Sequence, residues 1–415
     1  MDIKEKYDCI IVGGGPAGSA VATIIAESGY DTLLIEREAM PRYHIGESLM
    51  PETYWCFERL GVLDQMRNSD YVRKMSVQFV SSSGRESQPF FFKQHDPREC
   101  ASTWQVERAE FDNMLFENAA SKGATCVDQT RVMEVLMDGD RAVGVKLQTA
   151  DGSSREVHSK VVVDATGLQA VIAHRMGLRR DEEDLKKIAI WSYFENAERE
   201  PGEHGGATII LHTEKKDSWF WFIPLRNNIT SVGVVGDRGY MLDGRESPEQ
   251  TFFDELELCP AMQRRLAPST NTEKFRVARE FSYTTTQQAG DGWVLVGDAM
   301  GFIDPIYSSG VYFALQSGIM AADAIVTGLK NDDTSANQLA SWVGEFKNGT
   351  QWIRKLVDVY YCNPFSMGQF LKMYPQYISN VTDLLIGRIF YDGAGDVFQD
   401  LDPAMKTAIE AFSDM

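Results

Sequence analysis

A glycine-rich turn near the N-terminus constrains the fold more than any other feature of the sequence. Residues 13–18 are GGGPAG, which fits the spacing GxGxxG and follows the apolar run Tyr7 to Val12. The first glycine, Gly13, permits a tight turn, and the second, Gly15, lets a pyrophosphate approach the backbone. The third, Gly18, lets the following helix pack on the strand. The pattern predicts a strand, a turn and a helix that together bind a nucleotide.

The residues after the turn extend this prediction. A helical pattern begins at Pro16 and Ala17, and its first N–H groups would present a partial positive charge to the phosphates. A second apolar strand, Asp31 to Ile35, ends at Glu36, whose carboxylate can accept a hydrogen bond from a ribose hydroxyl. We therefore expect a βαβ unit at the start of the chain.

The charge of the chain limits its possible partners, and its cysteines and histidines indicate whether disulfides or metal sites are expected. The chain has 415 residues, and 41 Lys+Arg against 60 Asp+Glu give a net charge of −19. Such a surface would repel nucleic acid, and it disfavours an acidic carrier protein unless a local basic patch exists. The six cysteines form no CxxC pair and the six histidines are scattered. This predicts free thiols in the cytoplasm and no metal site. From the residues at its start we expect no signal peptide, and the sequence has no apolar run long enough to predict a membrane span.

Later segments indicate FAD rather than NAD. Gly297-Asp298 follows the short apolar strand Trp293 to Val296, and a carboxylate there can bind the ribityl chain of a flavin. The loop Ser308-Ser309-Gly310 precedes a long apolar helix that starts at Val311. The N-terminus of that helix would face the pyrimidine ring and stabilise negative charge on the reduced flavin.

These signals form a recognisable set. The glycine turn, Glu36, Arg42, Arg108 before Phe111-Asp112, the DATG segment at 164–167 and Gly297-Asp298 resemble the flavin monooxygenase superfamily of the para-hydroxybenzoate hydroxylase type, over roughly residues 5–330. The resemblance implies FAD as the cofactor. It assigns the following residues to bind it: Gly13, Gly15, Pro16, Ala17, Gly18, Glu36, Arg37, Arg42, Ser48, Arg108, Asp298, Gly310 and Val311.

The expected fold is α/β, with a Rossmann-like FAD-binding domain, an interleaved antiparallel β-sheet substrate domain and a helical C-terminal region. We predict that the FAD-binding domain comprises residues 1–75, 100–180 and 275–330. The substrate-side sheet would comprise residues 76–99 and 181–274, which are rich in β-branched and aromatic residues from 187 to 240. Residues 331–415 would form the helical region, as a lid over the substrate or a docking surface.

An aromatic segment indicates which reaction an FAD enzyme of this kind catalyses. Residues 219–224 are WFWFIP, which matches WxWxIP and resembles the signature of flavin-dependent halogenases. As a strand, this segment would place Trp219, Trp221 and Ile223 on one face, and Pro224 would end the pairing. In the family, such rings line the region near the flavin. Residues 41–49, PRYHIGESL, are similar to the corresponding stretch in halogenases of phenols and pyrroles.

Two further positions carry the resemblance. The segment 305–311, PIYSSGV, resembles the halide-binding loop, where the N–H groups of Ser309 and Gly310 at a helix N-terminus would hold chloride or bromide. Lys74 matches the lysine that handles the oxidised halogen in the family, and we expect burial to lower its pKa. Tryptophan halogenases carry a glutamate before the serine pair, but Tyr307 stands here. The chain therefore resembles the phenol and pyrrole branch.

The resemblance implies halogenation of an electron-rich aromatic ring, free or tethered to a carrier protein, with reduced FAD, O2 and a halide. Because only one dinucleotide fingerprint is present, a separate flavin reductase is expected to supply the reduced FAD. Three alternatives stay open on sequence alone. They are an FAD-dependent aromatic hydroxylase, a flavin reductase of isoprenoid double bonds like those acting on geranylgeranyl chains, and a non-catalytic flavoprotein that binds a carrier protein or a lipid.

Overall fold

The computed structural model describes residues 3–279 and 282–413. Its strands are β1 (Lys6–Val12), β2 (Thr32–Ile35), β3 (Val72–Lys74), β4 (Ser76–Val80), β5 (Phe90–Phe91), β6 (Thr103–Gln105), β7 (Thr125–Val127), β8 (Arg131–Asp138), β9 (Arg141–Gln148), β10 (Ser154–Asp164), β11 (Arg179–Asp181), β12 (Lys187–Glu195), β13 (Thr208–His212), β14 (Ser218–Pro224), β15 (Ile229–Asp237), β16 (Thr270–Asn271), β17 (Arg276–Arg279), β18 (Tyr283–Thr285), β19 (Ala289–Gly290) and β20 (Trp293–Leu295).

Helices lie between these strands and make up most of the chain after residue 310. They are α1 (Pro16–Glu27), α2 (Thr53–Leu60), α3 (Leu63–Asn68), α4 (Phe92–His95), α5 (Arg108–Ser121), α6 (Val171–Arg175), α7 (Arg238–Leu242), α8 (Pro248–Glu257), α9 (Pro260–Leu266), α10 (Gly310–Asn331), α11 (Ala336–Leu339), α12 (Val343–Tyr361), α13 (Met367–Met373), α14 (Ile378–Ile386) and α15 (Phe398–Ser413).

The first sheet has the strand order β19-β20-β10-β1-β2-β7, and from β20 to β7 neighbouring strands run parallel. Val12 at the end of β1 is in register with Ile35 of β2 and with Asp164 of β10. Strands β1, β2 and β10 therefore end at the same edge of the sheet. The residues that follow them, which are the glycine turn, Glu36 and Ala165, come together there. Ligands of open α/β sheets bind at this edge.

The second sheet has the order β16-β12-β15-β14-β13-β4-β5, with β17 also paired to β12. Its strands alternate faces with period two. Phe220 and Phe222 of β14 pack with Phe252 of α8 on one face. Trp219, Trp221 and Ile223 form a separate apolar cluster on the other face. The sequence predicted this division of the aromatic strand.

Segments of the two sheets alternate along the chain, so the lobes are interwoven. The predicted α/β class, with a Rossmann-like sheet, an interleaved and mostly antiparallel second sheet and a helical C-terminal region, is confirmed. The second sheet also takes in β17, so it extends past the boundary predicted at residue 274. One pairing in it, between β13 and β4, is parallel.

Helix α10 is the structural link between the cofactor lobe and the C-terminal region. It crosses α1 so closely that a Cβ on Gly318 would lie 2.7 Å from the carbonyl oxygen of Ala17. By length and composition alone α10 could span a membrane, but 56% of its most apolar stretch is buried inside the protein. That burial is typical of a core helix.

Candidate active site

The glycine turn is shaped by steric contact with the neighbouring strand. Gly13 has φ +112, and a Cβ there would lie 2.2 Å from the carbonyl oxygen of Ala165. A Cβ on Gly18 would lie 1.9 Å from the carbonyl oxygen of Gly13. A Cβ on Gly15 would meet only the Arg42 guanidinium, at a van der Waals distance of 3.4 Å, and Gly15 lines the cavity. The turn thus has room for only glycine at two positions and leaves the third open to a ligand.

Glu36 fixes this turn. Its Oε2 accepts from the backbone N–H of Gly14 at 3.0 Å, and its Oε1 accepts from that of Glu38 at 3.0 Å. Arg42 lies 3.4 Å from Oε2 through Nε. A carboxylate has about four acceptor positions, so these contacts leave capacity for a ribose hydroxyl.

Two arginines share the buried carboxylate of Asp112. Arg42 donates to it at 2.8 Å, and Arg108 donates through Nε and Nη2 at 2.7 and 3.0 Å. Arg108 also donates to the carbonyl oxygen of Ile45 at 2.6 Å. The paired charges therefore anchor the segment that follows β2 against α5 and keep two guanidinium groups at the same wall of the site.

Beside the turn lies a cavity of about 670 Å³, a size typical of ligand sites, lined by both sheets. Predicted site residues that line it are Gly13, Gly15, Pro16, Ala17, Glu36, Arg37, Arg42, Ser48, Arg108, Trp219, Trp221, Ile223, Asp298, Gly310 and Val311. Four predicted residues are not among the lining: Gly18, Lys74, Pro224 and Ser309. Gly18 acts inside the turn, and Pro224 is the last residue of β14.

The lining fits a flavin dinucleotide. One end offers the start of α1, whose first N–H groups lack intrahelical acceptors, together with Glu36 and two arginines. The middle contains Asp298, and burial raises the pKa of its carboxyl to about 6. Trp219, Trp221 and Ile223 supply an apolar and aromatic part of the lining, which also includes the first residues of α10. The phosphates of the cofactor would meet N–H groups and arginines, its sugar hydroxyls would meet carboxylates, and its planar ring would meet apolar and aromatic side chains.

The loop before α10 is held from outside by the C-terminal region. Asp304 accepts from the N–H of Ile306 at 2.9 Å and from the hydroxyl of Tyr361 at 3.0 Å. The same hydroxyl accepts from Trp219 Nε1 at 2.9 Å. Ser308 adopts φ +59, and α10 starts two residues later. The aromatic strand, the loop and α12 are therefore joined by one hydrogen-bond chain.

Lys74 lies behind the cavity wall rather than in it. Its side chain is 4% exposed, and Nζ donates to Ser48 Oγ and to the carbonyl oxygen of Leu49, both at 2.9 Å. Ser48 Oγ is 2.8 Å from Thr208 Oγ1, and both of these residues line the cavity. Burial lowers the pKa of Lys74 to about 7, as expected. Ser48, assigned by resemblance to the cofactor, thus makes its hydroxyl contacts with Lys74 and Thr208.

Sequence reasoning missed a chain of polar side chains, buried at its Glu47 end, at the same wall. Trp191 Nε1 donates to Tyr43 Oη at 2.8 Å, Tyr43 and Tyr193 hydroxyls are 2.9 Å apart, and Tyr193 donates to Glu47 Oε1 at 2.6 Å. Glu47 is 3% exposed, and burial raises the pKa of its carboxyl to about 7. Glu47 lies within the segment 41–49 that the sequence singled out, but its partners come from β12, far along the chain.

Comparisons with known proteins identify the family to which the chain belongs. The FAD binding domain family matches residues 6–338. A 1H-pyrrole-2-carbonyl-(peptidyl-carrier protein) chlorinase of Pseudomonas fluorescens is 30% identical over 408 residues, 93% of this chain and 90% of its own. The corresponding brominase of Pseudoalteromonas luteoviolacea is 31% identical over 372 residues, 89% of each chain.

Solved structures give the same result. The myxobacterial chondrochloren halogenase CndH superposes with a TM-score of 0.80 at 32% identity, covering 86% of this chain and 83% of that one. The flavin-dependent brominase Bmp2 superposes with a TM-score of 0.86 at 28% identity, covering 99% of both chains. The chain is therefore an FAD-dependent oxidoreductase of the FAD binding domain family, with FAD as its cofactor. Within that family it belongs to the flavin-dependent halogenases.

Proposed function

We propose that this protein halogenates an electron-rich aromatic ring, a pyrrole or a phenol, presented on a carrier protein. The relatives named for pyrrole carried on a peptidyl carrier protein support the substrate class. Chloride or bromide would be the halide, and a separate flavin reductase would deliver reduced FAD. The free thiols of all six cysteines support a place in the cytoplasm.

The observation that carries the proposal is the position of Lys74. It is buried and has a lowered pKa. The hydroxyl group of Ser48 lies between it and the cavity, and the aromatic residues of β14 line the same cavity. Reduced FAD, when bound, supplies together with O2 the oxidising power that turns halide into an electrophilic halogen. Lys74 would hold that halogen for the ring, and Trp219, Trp221 and Ile223 would exclude water from the space beside the flavin.

The remaining residues take supporting roles in this proposal. The glycine turn, Glu36, Arg37, Arg42, Arg108 and Asp298 would hold the cofactor. Gly310 and Val311 would face the flavin ring, and the backbone N–H groups of Ser309, just before α10, and of Gly310, its first residue, would hold the halide. Ser309 is 2% exposed, so its contribution would come through the backbone rather than through a surface hydroxyl.

A direct assay tests the proposal. The protein is incubated with FAD, a flavin reductase, NADH, O2 and chloride or bromide. Pyrrole-2-carboxylate and simple phenols are offered both free and as thioesters on a carrier protein. We expect mass spectrometry to detect the halogen isotope pattern on the carrier-bound ring. Hydroxylated product without halogenated product would favour the hydroxylase alternative and overturn the proposal.

The hydrogen-bond chain through Tyr361 gives a second prediction. Tyr361→Phe removes the hydroxyl that donates to Asp304 and accepts from Trp219. The loop before α10 then loses these hydrogen bonds to α12 and β14. Hydrogen bonds of this kind contribute about 1 kcal/mol each, which corresponds to roughly three- to tenfold in an equilibrium constant. We expect the KM for halide to rise roughly three- to tenfold, with FAD affinity within about twofold. An unchanged halide KM, measured by varying bromide at saturating FAD, would place the halide elsewhere.

A further inference from the structure

The polar chain that ends on Glu47 has a fixed direction. Trp191 Nε1 can only donate, so Tyr43 Oη accepts from it. Tyr193 donates to Glu47, so its oxygen is left to accept from Tyr43. Each hydroxyl therefore passes its hydrogen toward the carboxyl group, in the order Tyr43, Tyr193, Glu47. Aligned hydrogen bonds of this kind strengthen one another in a buried environment.

The two ends of this chain differ in their access to water. Tyr43 also lines the cavity but is 40% exposed, with the guanidinium of Arg276 3.7 Å from its ring centre. Glu47 is buried and lines the cavity, and its Oε2 makes no well-aligned hydrogen bond within the described residues, although the Ser231 hydroxyl lies near enough to lower the pKa of the carboxyl group. A buried carboxyl group with one oxygen that lacks a well-aligned hydrogen bond is costly unless it is protonated or acts on a ligand.

The charges around Glu47 leave its proton exchangeable near neutral pH. Burial raises the pKa of its carboxyl to about 7, while the hydroxyls of Tyr193 and Ser231 and the charge of Arg108 favour the ionised form. Glu107 acts in the opposite direction. A group that titrates near the working pH is suited to give and regain a proton in each turnover.

The proposed reaction requires such a group. Reduced FAD (FADH2), O2, a halide ion, a ring C–H and one proton give FAD, a carbon–halogen bond and two water molecules. O2 accepts four electrons, two from FADH2 and two from the halide and ring together, and its O–O bond breaks. The four hydrogens of the two waters come from FADH2, the ring and the added proton. One proton must therefore enter the cavity in each turnover.

We infer that Glu47 delivers this proton inside the cavity and that Tyr193 and Tyr43 return one to it from solvent. The inference rests on the proposed halogenase function, because that reaction consumes the proton. Glu47 would be a catalytic residue and Tyr193 a positioning and relay residue. Glu47→Gln keeps the acceptor for Tyr193 but has no acidic proton. Tyr193→Phe keeps the carboxyl group of Glu47 but removes the hydroxyl that would pass a proton to it.

The molecule contains a matched control pair. Tyr240 donates to the buried Glu255 at 3.2 Å, and neither residue lines the cavity. Tyr240→Phe thus removes a similar tyrosine–glutamate hydrogen bond without touching the site. We expect Glu47→Gln to lower kcat roughly 100-fold and Tyr193→Phe roughly tenfold, with FAD affinity within about twofold. Tyr240→Phe is expected to keep wild-type kcat.

Two further measurements separate proton delivery from a structural role. The solvent deuterium isotope effect on kcat is expected to rise in Tyr193→Phe, and formic acid is expected to restore part of the activity of Glu47→Ala. Without turnover, difference infrared spectra of wild type against Glu47→Gln should show a protonated carboxyl band that titrates near pH 7. Product formation by the wild type tests the proposed function, whereas the infrared titration does not depend on it. Wild-type kcat in Glu47→Gln, or no titrating band, would overturn the inference.

Discussion

Replacing Lys74 with methionine is expected to lower the rate of halogenated product formation at least about 100-fold, while FAD affinity stays within about twofold. Methionine fills a similar volume but has no nitrogen to hold the oxidised halogen. The cofactor end of the cavity keeps its contacts, because Ser48 still pairs with Thr208. We therefore expect reduced flavin to be oxidised at a near-normal rate. The halogen would then escape and could be caught by a soluble phenol added as a trap.

The control for this variant is another lysine whose pKa is lowered by burial. Lys347 donates to Gln288 Oε1 at 2.9 Å and does not line the cavity. Lys347→Met should leave product formation unchanged. If Lys74→Met keeps wild-type product formation with coupled flavin oxidation, the lysine has only a structural role and the assignment is wrong.

The pH profile adds an independent check. If neutral Lys74 is the acting form, a pKa of about 7 means that the active fraction rises from low pH and levels off above neutrality. For the wild type, single-turnover halogenation should therefore rise toward pH 7 as Lys74 loses its proton and fall above it as Glu47 loses its own, giving a maximum near pH 7. An unperturbed lysine would give this rise near its usual value of about 10.4 instead. The residual activity of Lys74→Met should lack the rise.

Local patterns predicted the geometry of the glycine turn, because its residues and Glu36 belong to one βαβ unit. The glycine turn and Glu36 are close in sequence, and their spacing determines their geometry. The alternation in residues 219–224 likewise determined which rings face the cavity. Strand period and turn sterics are local properties, so a single sequence contains them.

The polar contacts of the reaction end could not be predicted in the same way. Lys74 meets Ser48 through the pairing of β3 with β6, and Glu47 meets Tyr193 through the packing of two lobes. Such contacts depend on the register between segments distant in sequence. The burial of Ser309 is another example, because α12 covers the loop through Tyr307 and Tyr361. Resemblance identified Lys74, whereas only the fold identified its partners.

Replacing Gly18 with alanine is expected to weaken FAD binding at least about 100-fold, although alanine is the better helix former by about 1 kcal/mol. The added Cβ would lie 1.9 Å from the carbonyl oxygen of Gly13, and that atom belongs to the backbone of the turn itself. Relief of the clash requires the start of α1 to move away from β1. The N–H groups of α1 would then no longer converge on the pyrophosphate.

A glycine elsewhere in a helix isolates this steric effect. Gly344 lies in α12, and a Cβ there would meet no atom within 4 Å. Gly344→Ala should therefore gain helix propensity, raise Tm slightly and leave FAD affinity unchanged. Titration of apoprotein with FAD, followed by flavin fluorescence, measures both variants. Because the two substitutions are chemically identical, a loss confined to Gly18→Ala would assign the effect to the turn. Equal affinities in the two variants would show that α1 can move without cost, and that the close packing of α1 on the turn is not what holds the cofactor.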